Sequence, residues 1–218
     1  LSAERMQHRL MDKLSGQDAK ILQRSTETIV NQVEALKKMV NEFSEYARIP
    51  ELEMVQIDFN RLIHEVLALY ETSNARAENS QCPEIKLALF SDLLLIRGDP
   101  ARLRQVIHNL LQNAQDALAD TKNGTITVST DMISGSVRLC IIDNGKGFAE
   151  EIKTLAFEPY VTTKPRGTGL GLPIVKKIVD EHSGTIQIEN IQPHGAKVTI
   201  TLPAINSGQV ASTMSRLA

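Results

Sequence analysis

The chain has 218 residues, a formal net charge of −2 and 42% apolar residues, room for one ordinary domain and a smaller appendage. So small a charge gives no general attraction to nucleic acid or to an anionic membrane, and no apolar run approaches the ~20 residues that span a bilayer. The two cysteines, Cys82 and Cys140, form neither a disulfide framework nor a metal-ligand pattern and read as reduced thiols of a cytoplasmic protein.

The chain opens on Leu1-Ser2-Ala3-Glu4-Arg5, which reads as the middle of a helix, so a fragment without a signal peptide is expected. Ala3, Met6, Leu10 and Leu14 recur at helical spacing. Ser15-Gly16-Gln17-Asp18 breaks the pattern, and a second helix carries Leu22, Ile29, Val33, Leu36, Val40, Phe43 and Ala47. From Ile29 the steps alternate four and three, a heptad seam, and Ile49-Pro50 ends it. Neither stripe can be buried within one hairpin, so a dimer forming a four-helix bundle is predicted.

The pattern then turns mixed. Strands are expected at Met54–Phe59, Ile85–Phe90 and Leu93–Ile96, with an amphipathic helix at Arg61–Tyr70 between the first two. Asp99-Pro100 is a helix entry, cap followed by proline, for a helix running to about Ala119. Asn123-Gly124 turns into the alternating strand Thr125–Thr130. Val137–Ile142 is apolar on both faces and reads as an internal strand. Residues 148–166 make a loop too long for a bare connection, as lids are. A helix from Leu172 and strands at Thr185–Ile191 and Ala196–Leu202 close the fold. The fold class is α+β, a two-layer α/β sandwich behind a helical hairpin.

Two features carry chemistry. On the helix from Pro100, Asn109, Asn113 and Asp116 line up opposite a wide apolar face. A solvated stripe is the plain explanation, yet asparagine is a poor mid-helix residue, and amides one turn apart can offer oxygens to a hard cation and N–H groups to phosphate. Second, five of the twelve glycines fall in Asp143-Asn144-Gly145-Lys146-Gly147 and Gly167-Thr168-Gly169-Leu170-Gly171. Each cluster alone could be a turn. The first also offers a carboxylate to an exocyclic amine such as adenine's, with Gly145 and Gly147 admitting a flat ring. The second runs into a helix whose first N–H groups suit phosphate. It matches neither the dinucleotide fingerprint nor a Walker loop.

In this order, Asn109-x-x-x-Asn113, Asp143-x-Gly145-x-Gly147, Phe157-Glu158-Pro159-Tyr160 and Gly167-x-Gly169-x-Gly171 resemble the N, G1, F and G2 boxes of sensor histidine kinases. Those kinases share the Bergerat ATP-binding fold with the gyrase, Hsp90 and MutL ATPases. Phe43-Ser44-Glu45-Tyr46-Ala47-Arg48 and Glu158-Pro159-Tyr160-Val161-Thr162-Thr163-Lys164 look most like the nitrogen-regulation branch, of the NtrY or NtrB kind. The resemblance implies a dimerisation hairpin over residues 1–53 and a catalytic ATP-binding domain over 54–204, while the small polar residues of 205–218 read as a disordered tail.

It implies that Asn113 coordinates Mg2+ on the ATP phosphates with help from Asn109, and that Asp143 accepts from the adenine amine. Gly167, Thr168, Gly169, Leu170, Gly171 and Leu172 would surround the phosphates. The segment Phe148–Arg166 would form a lid, from which Lys164 and Arg166 reach phosphate oxygens or are simply solvated. Asn109 stands where the related ATPases carry a glutamate base, and an amide cannot take a proton from water. The role of Asp116 stays open. The implied partners are a second copy through the hairpin and a response-regulator receiver domain, with no nucleic acid and no direct membrane contact. The parent is cytoplasmic or an inner-membrane sensor.

The family's acceptor is a histidine followed by an acidic residue, with proline five positions on. His8, His108, His182 and His194 lack the acidic neighbour; His64-Glu65 has it, but Leu69 stands at the proline position. The acceptor is therefore expected upstream of Leu1, leaving a fragment that binds Mg-ATP without phosphorylating itself. The competing readings are a gyrase-like ATPase clamp and a dimerisation module with a degenerate nucleotide site.

Overall fold

The computed structural model describes residues 2–11, 13–14, 16–47, 51–74, 83–164 and 167–205. The expected helix stop at Ile49-Pro50, Cys82, Arg166 and the tail beyond residue 205 lie outside the described residues. Contacts divide the chain into two units, Leu1–Ile49 with Lys164–Thr168, and Pro50–Thr163 with Gly169–Ala218.

The first unit holds α1 (Ser2–Met11), packed against the much longer α2 (Gly16–Ala47). The expected break at residues 15–18 is shorter than its composition suggests. Gly16 turns the chain with φ +62° and already opens α2, a conformation glycine adopts without a Cβ penalty. The heptad stripe is exposed along one chain, Val40 by 60% and Leu36 by 57%. No helix among the described residues is long and apolar enough to cross a membrane.

The second unit is α+β. A five-stranded sheet has the order β2-β4-β5-β7-β6, built from Glu84–Ala88, Thr125–Ile133, Ser136–Asp143, Ala196–Pro203 and Thr185–Asn190 respectively. All its pairs are antiparallel except β2 with β4. Strand β5 is central and paired on both edges, yet its burial alternates except at Cys140, so it is not buried on both faces as its apolar run suggests. The expected strands β1 (Val55–Asp58) and β3 (Leu95–Gly98) pair with each other, antiparallel and apart from the main sheet.

The helices form the second layer. Helix α4 (Pro100–Ala117) packs on β4 and β5, and α6 (Gly171–Glu181) on β6, while α3 (Phe59–Asn74) and α6 flank α4. Alternate residues Ile126 and Val128, Val137 and Leu139, and Val198 and Ile200 are buried, as are Leu103, Val106, Ile107, Leu110 and Leu111 of α4. Each such side chain contributes about 1.5–3 kcal/mol when removed from water. Thr130, polar and buried, is satisfied: its hydroxyl donates to Asn60 Oδ1 (2.8 Å) and accepts from the Phe90 N–H (3.0 Å).

The start of α4 is fixed as the cap residue predicts. Asp99 Oδ1 accepts from the N–H groups of Ala101 (2.9 Å) and Arg102 (3.1 Å), and Oδ2 from that of Glu53 (3.2 Å). Burial would raise this carboxyl, but those three N–H groups and the nearby Arg102 charge outweigh it and hold it below the usual carboxylate range. The Asp99 N–H in turn donates to Nε2 of the buried His182 (2.9 Å), whose Nδ1 meets Ile178 O at 2.7 Å. One bond thus ties the entry of α4 to the exit of α6.

Candidate functional site

Helix α4 presents Asn109 and Asn113 half-buried and Asp116 exposed, opposite its apolar face. Asp116 Oδ1 accepts from Gln112 Nε2 at 2.9 Å. Its charge also adds to the burial that pushes the Tyr70 hydroxyl up to about 12. Tyr70 Oη sits 2.7 Å from His108 Nδ1, fastening α3 to α4 beside Asn109.

Asp143 ends β5, buried, with Oδ1 accepting the Gly145 N–H at 2.9 Å. The carboxylate thus closes the turn that Asp-Asn-Gly announces. Gly145 is required by close approach, since a Cβ there would stand 2.6 Å from Ala117 O at the end of α4. Gly147 has φ +72°. Asn144, the middle of the turn, accepts the Thr125 N–H at 2.7 Å and so joins the loop to the start of β4.

The segment after this loop is more structured than a bare lid. It contains the one-turn helix α5 (Glu150–Lys153), and Ala156 is buried. Tyr160, at φ +68°, donates its N–H to Gly169 O at 3.1 Å. Gly169 has φ +70°, and a Cβ on it would fall 2.6 Å from the Tyr160 carbonyl carbon. The third and fourth motifs therefore lie backbone against backbone.

Helix α6 opens at Gly171 with no side chain capping it. A Cβ on Gly171 would lie 3.7 Å from Asn113 Nδ2, so an amide of α4 faces the first turn of α6. Leu170 is fully buried, and only its backbone can serve a ligand. Leu172 is half-buried. Lys164, Gly167 and Thr168 group with the helical unit, where the Gly167 N–H donates to Lys164 O at 3.0 Å. Within the second unit, Asn113 and Gly171 thus come together at one place, and Asp143, Gly145 and Gly147 form a second face beyond the C-terminal end of α4.

Among the described residues no group of three or more His, Cys, Asp or Glu gathers as a metal site. Mg2+ keeps several of its ligands as water and substrate phosphate and takes few from protein.

Three residues of the site region carry no sequence motif. Asn190, His194 and Gly195 line the β6–β7 turn against the Asp143 loop. A Cβ on Gly195 (φ +128°) would overlap Asp143 O at 2.1 Å. The glycine itself was the only available signal, and it resembles any turn glycine.

Residues 98–206 match the family model described as histidine kinase-, DNA gyrase B-, and HSP90-like ATPase. The sensor histidine kinase ZraS of Escherichia coli O157:H7 is 35% identical over 179 residues, 81% of this chain and 37% of that protein. Nitrogen regulation protein NtrY of Azorhizobium caulinodans is 34% identical over 211 residues, 94% of this chain and 26% of that protein. The chain thus spans about a third of the curated relatives it matches. Among solved structures, the catalytic domain of histidine kinase ThkA superposes with TM-score 0.61 at 34% identity, covering 69% of this chain and 95% of that one. ThkA in complex with response regulator protein TrrA gives TM-score 0.70 at 29% identity, covering 93% and 57%.

Proposed function

The chain belongs to the histidine kinase-, DNA gyrase B- and HSP90-like ATPases, and from that premise we propose that it is the dimerising and ATP-binding portion of a sensor histidine kinase of the NtrY/NtrB branch. The observation that carries this reading is the approach of Asn113 to Gly171, where α6 begins without a side-chain cap, together with a glycine loop closed by a buried carboxylate beyond the C-terminal end of α4. ATP would lie with its purine amine on Asp143 and its ring against Gly145 and Gly147. Its phosphates would meet the N–H groups of Gly169–Leu172 at the start of α6.

Asn113 would hold Mg2+ on the triphosphate, with Asn109 assisting. Phosphoryl transfer needs positioning and charge stabilisation more than covalent chemistry from the protein, and this residue set supplies both. An amide at Asn109 cannot take a proton from water, which favours a protein acceptor over hydrolysis.

Residues 1–53 form the dimerisation hairpin in this reading, supported by the exposed heptad stripe of α2, and residues 54–204 the catalytic domain. The receiver domain of a response regulator is the proposed relay partner, as in the ThkA complex. The portion works on the cytoplasmic side, whatever anchors its parent.

The test is incubation with γ-labelled ATP and Mg2+ after calorimetry has established binding. Bound nucleotide with no acid-labile label is expected, because none of the five histidines carries the acceptor pattern. Failure to bind Mg-ATP overturns the site. Label on His8 or His64 overturns the acceptor assignment, and sustained hydrolysis restores the ATPase clamp.

A further inference from the structure

The turn between β6 and β7 contains none of the four motifs, yet it grips the Asp143 loop. Asn190, the last residue of β6, accepts the Phe148 N–H on Oδ1 and donates Nδ2 to Phe148 O, both at 2.8 Å. Its amide thereby imitates a strand partner and holds both backbone polar groups of one residue. The same Nδ2 lies 3.2 Å from Glu150 Oε1, at the start of α5. A Cβ on Gly147 would stand 2.8 Å from Asn190 Oδ1, so the clamp also touches the glycine that precedes Phe148. Beside it, His194 Nδ1 meets Asn144 O at 2.9 Å.

Core packing does not explain this asparagine, because it is exposed. Strand propensity does not explain it either, since asparagine is depleted in strands. What it accomplishes is local: it orders the Gly147–Phe148 backbone where the purine loop ends and the 148–166 segment begins.

We propose that Asn190 is a positioning residue for nucleotide binding, pre-ordering the purine side of the site so that the ligand does not have to. The inference rests on the function proposed above. Binding to a loop that must first be ordered is weakened by the entropy of ordering it.

The full 218-residue chain is compared with Asn190→Ala by calorimetry, using a Mg-loaded non-hydrolysable ATP analogue and, separately, ADP. Ordering about one residue's backbone corresponds to roughly tenfold in affinity, and the loss should be equal for both nucleotides because it arises at the purine end. Amide exchange at Phe148 should quicken in the free variant and return to the wild-type rate when nucleotide is bound. Asn190→Asp serves if the alanine variant does not fold. It keeps an acceptor for the Phe148 N–H but turns an oxygen toward Phe148 O and Glu150, so it too must bind more weakly.

Unchanged affinity in the variants, even with a lowered Tm, reduces Asn190 to a structural staple and overturns the proposal alone. A wild-type chain that binds neither nucleotide overturns this proposal and the function beneath it.

Discussion

Replacing Asp143 by Asn changes one oxygen for one NH2 and leaves shape and volume nearly intact. In the structure Oδ1 is committed to the Gly145 N–H at 2.9 Å. If the other oxygen accepts the purine amine, the amide must place its NH2 against one of these two donors. The turn bond is local and retains the amide oxygen, so the purine contact is the one lost.

A hydrogen bond to a charged group contributes about 1.5–3 kcal/mol, or roughly 10- to 150-fold in affinity. Asp143 is only 6% exposed, so water cannot replace the missing acceptor and the upper part of that range is expected. The assay is calorimetric titration with an ATP analogue and with the same triphosphate lacking the purine 6-amino group. Wild type should prefer the amine; Asp143→Asn should bind both equally, with little change in Tm. An unchanged Kd in the variant, or a wild type indifferent to the amine, would refute the assignment of Asp143.

Asp99→Ala removes a cap with three N–H donors and should cost about 1–2 kcal/mol near neutral pH. The Asp99 carboxyl is held below its unfolded value, so its contribution is fully present above about pH 4 and is lost as pH falls through the lower folded value. Urea unfolding should show the gap between wild type and variant closing toward acid, and a constant gap would contradict the cap's role. For the hairpin, Val33→Glu with Val40→Glu places charges on the exposed heptad stripe. Light scattering should report a dimer for wild type and a monomer for the variant, with nucleotide affinity retained; a monomeric wild type would remove the bundle.

Much of the fold was legible because it is written in neighbouring residues. The heptad of α2, the Asp99-Pro100 entry and the alternation of β4 are patterns of spacing, and period and capping are local physics. The site was legible in part for the same reason: a glycine cluster ahead of a helix and two amides one turn apart announce themselves. The pairings were not. Nothing near Val55 says that it faces Gly98, and nothing near Glu84 says that β2 runs parallel to β4.

The clamp of Asn190 on Phe148 spans 42 positions. It exists only because β6, β7 and β5 meet in one register, which brings Gly195 against Asp143 O. The sequence by itself determined most of the elements and the side chains from which the proposed site is built. Tertiary structure alone decided how those side chains are held, because a one-residue change in strand register sends every side chain to the opposite face.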